Sequence, residues 1–338
     1  MTRLEDYIPE KKVFPKGDVN KYVSCWTEKD VLDGEVVDAL VVILRTSGCS
    51  WARKKGCTMC GYFNDCHPHA DGENILHQFR KAMEKSNGQS ILKVFTSGSF
   101  LDEREIPRET RTGILDMASE RFRQVIVETR PQYVTEESLK ESVSHVAGLQ
   151  VALGLESAND MVLKHSINKG FTYEDYLKAA EIIKQSGATI KTYLLVKPPF
   201  LTENEAIRDA VNSANQIKGI TEVISLNPVN VQRGTLVERL WRRGEYRPPW
   251  LWSVVRIMEE CLGLGPRIIS FPTGGGKKRG AHNCHECDAD VLKEIAEYSL
   301  GHRNDFGDLE CECRERWMDT LDLQGFTQSS IDIQRYYG

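Results

Sequence analysis

The 338-residue chain has 44 Lys and Arg against 49 Asp and Glu, a formal net charge of −5, so nucleic-acid binding is not announced by bulk charge and any basic surface is a local patch. With 40% hydrophobic and 28% charged residues, the composition is that of a globular protein with room for one large domain plus an appendage, or two domains. No run approaches the ~20 apolar residues of a membrane span, and the opening stretch MTRLEDYIPEKKVFPKGD lacks the apolar segment of a secretory signal, so a cytoplasmic, reducing location without a membrane is expected.

Residues 1–38 read as a leader without a clear pattern. From residue 39 onward, short apolar runs alternate with amphipathic stretches. Strands are expected at 39–46, 91–96, 124–129, 149–155, 189–196 and 222–231, each apolar enough to be covered on both faces of a parallel sheet. Helices are expected at 74–85, 107–121, 135–144, 172–185 and 250–262. In the fourth of these, Tyr173, Tyr176, Leu177, Ala180 and Ile183 share a face and Gly187 stops the helix. Thr202 with Glu205 has the form of a capping box opening one more. Alternating strands and helices imply an α/β fold, a partial or full barrel of six βα units over 39–264, followed by a small cysteine-rich domain over 265–338.

Ten cysteines in a reducing setting point to metal ligands rather than disulfides, and they are grouped. Cys49, Cys57 and Cys60 follow the first expected strand, where βα folds collect their ligands. Three thiolates from one loop suit three irons of a four-iron cluster, leaving the fourth iron for the amine and carboxylate of a substrate. The competing reading is a zinc knuckle completed by Cys66, with His67 and His69 as loop residues. Cys25 and Cys261 stand alone and read as buried structural thiols.

Polar clusters end most of the later strands. Ser97-Gly98-Ser99 follows the second, where glycine lets backbone approach a ligand, although a plain tight turn reads the same. Glu128-Thr129-Arg130-Pro131 follows the third, either lining the barrel mouth or closing the strand as an ion pair. Glu156 and Asn227 follow the fourth and sixth, where a buried polar side chain needs a partner.

Cys284-x2-Cys287 and Cys311-x-Cys313 flank an expected helix and supply four thiolates, which suit a closed structural zinc site or a second iron–sulfur cluster. His282 and His285 stand beside them as accessory groups or alternative ligands. Just upstream, Lys277, Lys278 and Arg279 lie on a glycine-rich loop, either contacting nucleic-acid phosphates or simply solvated. Arg242, Arg243 and Arg247 with Trp241 and Tyr246 add charge and aromatic surface suited to RNA.

Three cysteines after the first strand of a βα barrel resemble the radical S-adenosylmethionine (SAM) superfamily. The usual Cys-x3-Cys-x2-Cys spacing is widened here, with seven residues between Cys49 and Cys57. That widening, Glu128-Thr129-Arg130-Pro131 and Gly154-Leu155-Glu156-Ser157 are similar to the Elp-like branch, and the whole plan is similar to the radical subunits of archaeal archaeosine synthases. The resemblance implies a 4Fe–4S cluster on Cys49, Cys57 and Cys60, and SAM held by Tyr62, Ser97, Gly98, Ser99, Glu128, Arg130, Glu156 and Asn227. It further implies a lyase that cleaves SAM to a 5′-deoxyadenosyl radical. The radical would break a C–N bond in the lysine adduct of preQ0 in the tRNA D-loop, leaving archaeosine. Its implied partners are a lysine-transferring alpha subunit, tRNA and an electron donor. Two alternatives stand beside this one: another Elp-like enzyme acting on tRNA or a small molecule, and a non-catalytic, zinc-dependent RNA-binding adaptor.

Overall fold

The computed structural model describes residues 4, 8, 17–307 and 309–327; residues 1–3, 5–7 and 9–16 of the expected leader and 308 and 328–338 of the expected C-terminal domain lie outside the described residues. Its frame is one eight-stranded sheet whose strands pair strictly in chain order. The strands are β1 (Ser24–Leu32), β2 (Glu35–Ile43), β3 (Ile91–Phe95), β4 (Gln124–Thr129), β5 (Leu149–Glu156), β6 (Thr189–Val196), β7 (Val223–Pro228) and β8 (Arg267–Ile269). From β2 to β8 every neighbour pairs in parallel, and the interleaved helices provide the crossovers. The six expected strands are β2–β7.

Two strands extend that set. β1 lies within the expected leader and pairs antiparallel with β2 through a hairpin whose Asp33 and Gly34 both have positive φ. Asp-Gly is a residue pair suited to such a turn. β8 lies beyond the expected barrel boundary at 264, yet pairs with β7. The barrel and the C-terminal segment also share one apolar core, which runs from Leu40 on β2 through Leu92, Leu153 and Ile190 to Val291, Ile295 and Trp317.

A buried ion cluster ties the two edges of this sheet together. Arg267 at the start of β8 donates to the Asp30 carboxylate on β1 (2.7 Å) and to the Val31 carbonyl (3.2 Å). Lys93 on β3 contacts the other Asp30 oxygen at 2.6 Å and Glu28 at 2.7 Å. Burial alone would raise the Asp30 carboxyl, but Lys93, Lys191 and Arg267 outweigh it and hold the group well below the usual carboxylate range. Burial, aided by Lys93, brings the Lys191 ammonium down to about 8.

The covering helices follow local rules. Gly72–Met83, Glu136–His145, Tyr173–Ser186 and Glu203–Ile217 each begin with a capping box, set by Asp71, Thr135, Thr172 and Thr202. Each cap contributes about 1 kcal/mol. Tyr173–Ser186 stops at Gly187, whose φ of +85° closes a left-handed cap. No described helix is long and apolar enough to cross a membrane.

Replacing Asp30 with Ala leaves Lys93, Lys191 and Arg267 without their shared buried anion. The expected cost is about 3–5 kcal/mol, read as a lower urea midpoint near neutral pH. Because the carboxyl is depressed in the fold, this contribution is present above its unfolded value near ~3.9 and disappears only as pH falls through the folded value. An unchanged midpoint would contradict the clasp.

Candidate active site and metal centre

The C-terminal ends of the parallel strands carry the first cysteine group. β2 runs into Thr46-Ser47-Gly48, and Cys49 caps the short helix Ser50–Lys54. The widened gap between Cys49 and Cys57 is therefore folded into a helical turn. Trp51 anchors it, donating its indole N–H to the Asn168 carbonyl at 2.8 Å. A Cβ on Gly170 would stand 2.6 Å from the Trp51 ring, so only glycine leaves room for it. The end of the loop is held too. The Asn168 side chain donates to the Gly56 carbonyl (2.8 Å), and Thr58 bonds the carbonyls of Ser166 (2.9 Å) and Ile167 (2.9 Å). These partners lie in the π-helical turn Leu163–Ile167 and its left-handed cap Asn168, just after β5.

The loop after β3 meets the cysteine loop from the side. The backbone at Gly98 approaches so closely that a Cβ there would stand 2.7 Å from the Cys49 Cα and collide with the Glu105 carboxylate. Glu105 joins the two loops. One of its oxygens accepts from the Thr46 hydroxyl (2.5 Å) and the other from the Ser99 N–H (2.7 Å). Burial pushes this carboxyl up to about 7 even though Thr46, Ser99 and Thr96 all bond it. The sequence offered no marker for Glu105, which sits among other charged residues in Asp102-Glu103-Arg104-Glu105. A cavity of about 430 Å³ opens against these loops, lined by Ser47, Gly48, Trp51, Arg53, Asp102 and Arg104 among others.

Of the candidate cofactor residues, Ser97, Gly98, Ser99 and Arg130 form one contiguous array with the cysteine loop. The Ser97 hydroxyl donates to the Tyr62 carbonyl (3.0 Å), and the Ser99 hydroxyl accepts the Arg130 N–H (3.1 Å). The Arg130 guanidinium is buried between Trp51 and Phe171, with one nitrogen donating to the Lys169 carbonyl (2.8 Å). Its Nε has no partner among the described residues. Glu128 and Arg130 do not pair with each other. Burial pushes the Glu128 carboxyl up to about 7 against the pull of the Tyr193 hydroxyl and Lys191. Glu156, held at a φ of +75° beside a bulge in β5, pairs with Lys169 at 2.7 Å. Lys169 and Tyr193, which the strand-end motifs did not identify, are the partners that the structure gives Glu156 and Glu128. Asn227 accepts from the Ser225 hydroxyl at 3.2 Å.

Cys66 is buried beside the cysteine loop. Its Sγ is packed so closely that a Cβ on Gly48 would stand 2.5 Å away. Burial pushes its thiol up to about 12. His67 and His69 stack edge to face with ring centres 5.8 Å apart.

The second cysteine group closes on itself. The sulfurs of Cys284, Cys287, Cys311 and Cys313 all lie within 4.8 Å of one another. Cys284 is 3.8 Å from Cys287 and 3.7 Å from Cys311, and Cys287 is 3.6 Å from Cys313. The Asn283 amide donates to the Cys287 sulfur (3.4 Å) and the Trp252 indole to the Cys313 sulfur (3.2 Å). His282 and His285 stack on each other, and their Nδ1 atoms face the carbonyls of Gly280 (2.8 Å) and Gly276 (3.1 Å). A relay of bonds then leads to the barrel. Trp317 donates to the Ser253 hydroxyl (2.9 Å), which donates to Glu203 (2.6 Å), which pairs with Lys197 beyond β6 (2.5 Å).

In the glycine-rich segment, Lys277 and Lys278 are exposed. Arg279 is committed elsewhere, donating to Glu238 (2.7 Å) and the Val231 carbonyl (2.9 Å) with its guanidinium over Trp241.

Residues 43–211 match the model of the radical SAM superfamily. The chain belongs to that superfamily. It is 42% identical over 318 residues to the archaeosine synthase subunit beta of Methanosarcina acetivorans, covering 91% of this chain and 92% of that one. It is 40% identical over 306 residues to the subunit of the same name in Thermococcus kodakarensis, covering 86% and 94%. Among solved structures, Elp3 of Methanocaldococcus infernus shares the fold with a TM-score of 0.50, at 18% identity over 66% of this chain and 59% of that one. Radical SAM membership brings a 4Fe–4S cluster and SAM, and the expected α/β partial-barrel architecture stands with it.

Two changes test how this site is built. Gly98→Ala should displace the turn from the cysteine loop and cut the iron retained after reconstitution; full retention would contradict the close packing. Glu105 is raised in the fold, so its contribution to stability is greatest below its unfolded value near ~4.3 and falls as pH rises to about 7. Glu105→Gln should therefore lower the slope of stability against pH in that window, and an unaltered slope would count against the buried carboxylate.

Proposed function

We propose that this chain is the radical-generating subunit of an archaeosine synthase, acting on the lysine adduct of preQ0 in the D-loop of tRNA. The observation that carries the proposal is near full-length identity, 42% across 92% of a protein of that name. A partner subunit that attaches the lysine, tRNA as substrate and an external electron donor follow from the same reading.

Cys49, Cys57 and Cys60 hold the 4Fe–4S cluster in this reading. The donor chemistry fits: three thiols share one anchored loop, while the Cys66 sulfur is packed tightly against Gly48. When bound, the cluster and SAM supply a one-electron cleavage that yields a hydrogen-abstracting 5′-deoxyadenosyl radical. The chain's own residues bind and orient. Backbone at Gly98 and the hydroxyls of Ser97 and Ser99 border the cysteine loop, as suits the methionine end of SAM. The buried Arg130, with one unpartnered nitrogen, suits its carboxylate. Glu128, Glu156, Tyr62 and Asn227 remain for the amine, ribose and adenine. In this reading the lysine part would lose a hydrogen and leave as an unsaturated fragment when its C–N bond breaks, and the external donor's electron with a proton would close the nitrogen left on the base as the amidine of archaeosine.

Cys284, Cys287, Cys311 and Cys313 hold zinc in this reading. Bonds of about 2.3 Å in a tetrahedron put sulfurs about 3.8 Å apart. The separations of 3.6, 3.7 and 3.8 Å support that geometry, whereas a four-iron cluster spreads its thiolates over separate irons.

The test uses tRNA carrying the lysine adduct, incubated anaerobically with reconstituted protein, SAM and reductant, followed by nucleoside mass spectrometry. Archaeosine and 5′-deoxyadenosine are expected together, and both should vanish in Cys57→Ala. SAM cleavage with an untouched adduct would overturn the substrate, and zinc binding without SAM cleavage would favour the adaptor. Cys287→Ser should release zinc and destabilise the C-terminal segment; retained metal at full occupancy would contradict the assignment.

A further inference from the structure

The fold gathers a basic surface that the chain's overall charge conceals. Residues 231–247 hold five arginines against two glutamates, and 274–280 adds two lysines and an arginine, in a chain whose net charge is −5. These two segments are far apart in sequence and adjacent in space. Val231 and Arg279 bond each other, the Val231 N–H donating to the Arg279 carbonyl at 2.7 Å and the Arg279 side chain to the Val231 carbonyl at 2.9 Å. Arg279 also bonds Glu238 on the helix Leu236–Arg242. One of the two glutamates is thereby consumed, because Glu238 pairs with Arg279 (2.7 Å) and with Arg242 (3.1 Å) and is itself buried, while Glu245 stays exposed.

Arg233, Arg243, Lys277 and Lys278 are left exposed, with no ion pair among the described residues. An exposed aromatic ring, Phe271, stands on the strand side of the same loop. The surface also borders the cysteine loop. The Gly61 N–H donates to Gln232 at 2.5 Å, and the Asn64 amide donates to the Arg233 carbonyl at 2.8 Å. Tyr62, 51% exposed, lies between those two contacts in sequence.

We propose that this rim, formed by Arg233, Arg243, Lys277, Lys278 and Phe271, is where folded RNA docks, its phosphates on the four cations and an unpaired base against the ring. The proposal rests on the tRNA reading above and names the surface it uses. Unpaired cations release condensed counterions from a polyanion, and an exposed ring offers stacking to a base turned out of its helix. Arg279 takes no phosphate; it braces the glycine-rich loop that carries Lys277 and Lys278 against Trp241 and Glu238.

The experiment measures binding of a tRNA transcript to the full chain by fluorescence anisotropy over a salt series. It compares wild type with Arg233→Glu/Arg243→Glu/Lys277→Glu/Lys278→Glu and with the milder set of four Gln replacements. Thermal melting and zinc content report whether each variant is folded. Affinity at low salt should fall at least about tenfold in both sets, and the slope of log K against log salt should shrink by about 3 as four contacts are lost. Phe271→Ala should weaken binding with the salt slope unchanged. If folded variants bind tRNA as wild type does, the surface is wrong while the tRNA reading stands. If wild type itself shows no affinity for tRNA, both fall. If the variants keep tRNA affinity but lose the lysine-transferring subunit, the rim is a protein interface and the proposal is overturned.

Discussion

A parallel sheet that grows in chain order curls, and in this chain the curl is clasped by one buried carboxylate. Asp30 on the first strand accepts Arg267 from the last and Lys93 from the interior. The two sheet edges therefore meet through side chains instead of through further strand pairing. Everything at the opposite end depends on this closure, because the loops after β2, β3, β4 and β5 converge only if the strands beneath them are drawn into an arc. The anchored cysteine loop, the Gly98 turn and the buried Arg130 come from three such loops.

The two cysteine groups follow different physical designs. In the first, three thiols sit on a loop held at Trp51, Gly56 and Thr58 by contacts to residues beyond β5. That arrangement sets the loop without saturating it, as suits a cofactor with an open coordination site. In the second, four sulfurs face one another, and Asn283 and Trp252 donate to two of them. The closed set sits in the same apolar core as the barrel and connects to it through Trp317, Ser253 and Glu203. Its bound metal would therefore stiffen the segment that carries the glycine-rich loop.

Much of this was legible in the sequence where the physics is local. Near-continuous apolar runs marked β2–β7, and Thr172 and Thr202 marked helix starts, because burial on both faces and capping leave residue-level traces. The second cysteine group was readable from its spacing. β1 leaves no apolar run although Asp33-Gly34 announces a hairpin, since its outward residues are polar in the manner of an edge strand. β8 is only three residues long, too short for any periodicity. Glu105 and Lys169 were invisible for another reason: a buried charge and a solvated one look alike until the fold shows what surrounds them. Arg279 is the converse, a residue that reads as free charge and proves to be a brace.

Metal analysis of the anaerobically reconstituted chain tests the central claim most directly, that one cysteine group holds an open iron–sulfur cluster and the other a closed zinc. The account predicts about four irons and one zinc per chain. Cys57→Ala should remove the iron alone and Cys287→Ser the zinc alone. Zinc in both groups, or iron that leaves with Cys287 and not with Cys57, would contradict it.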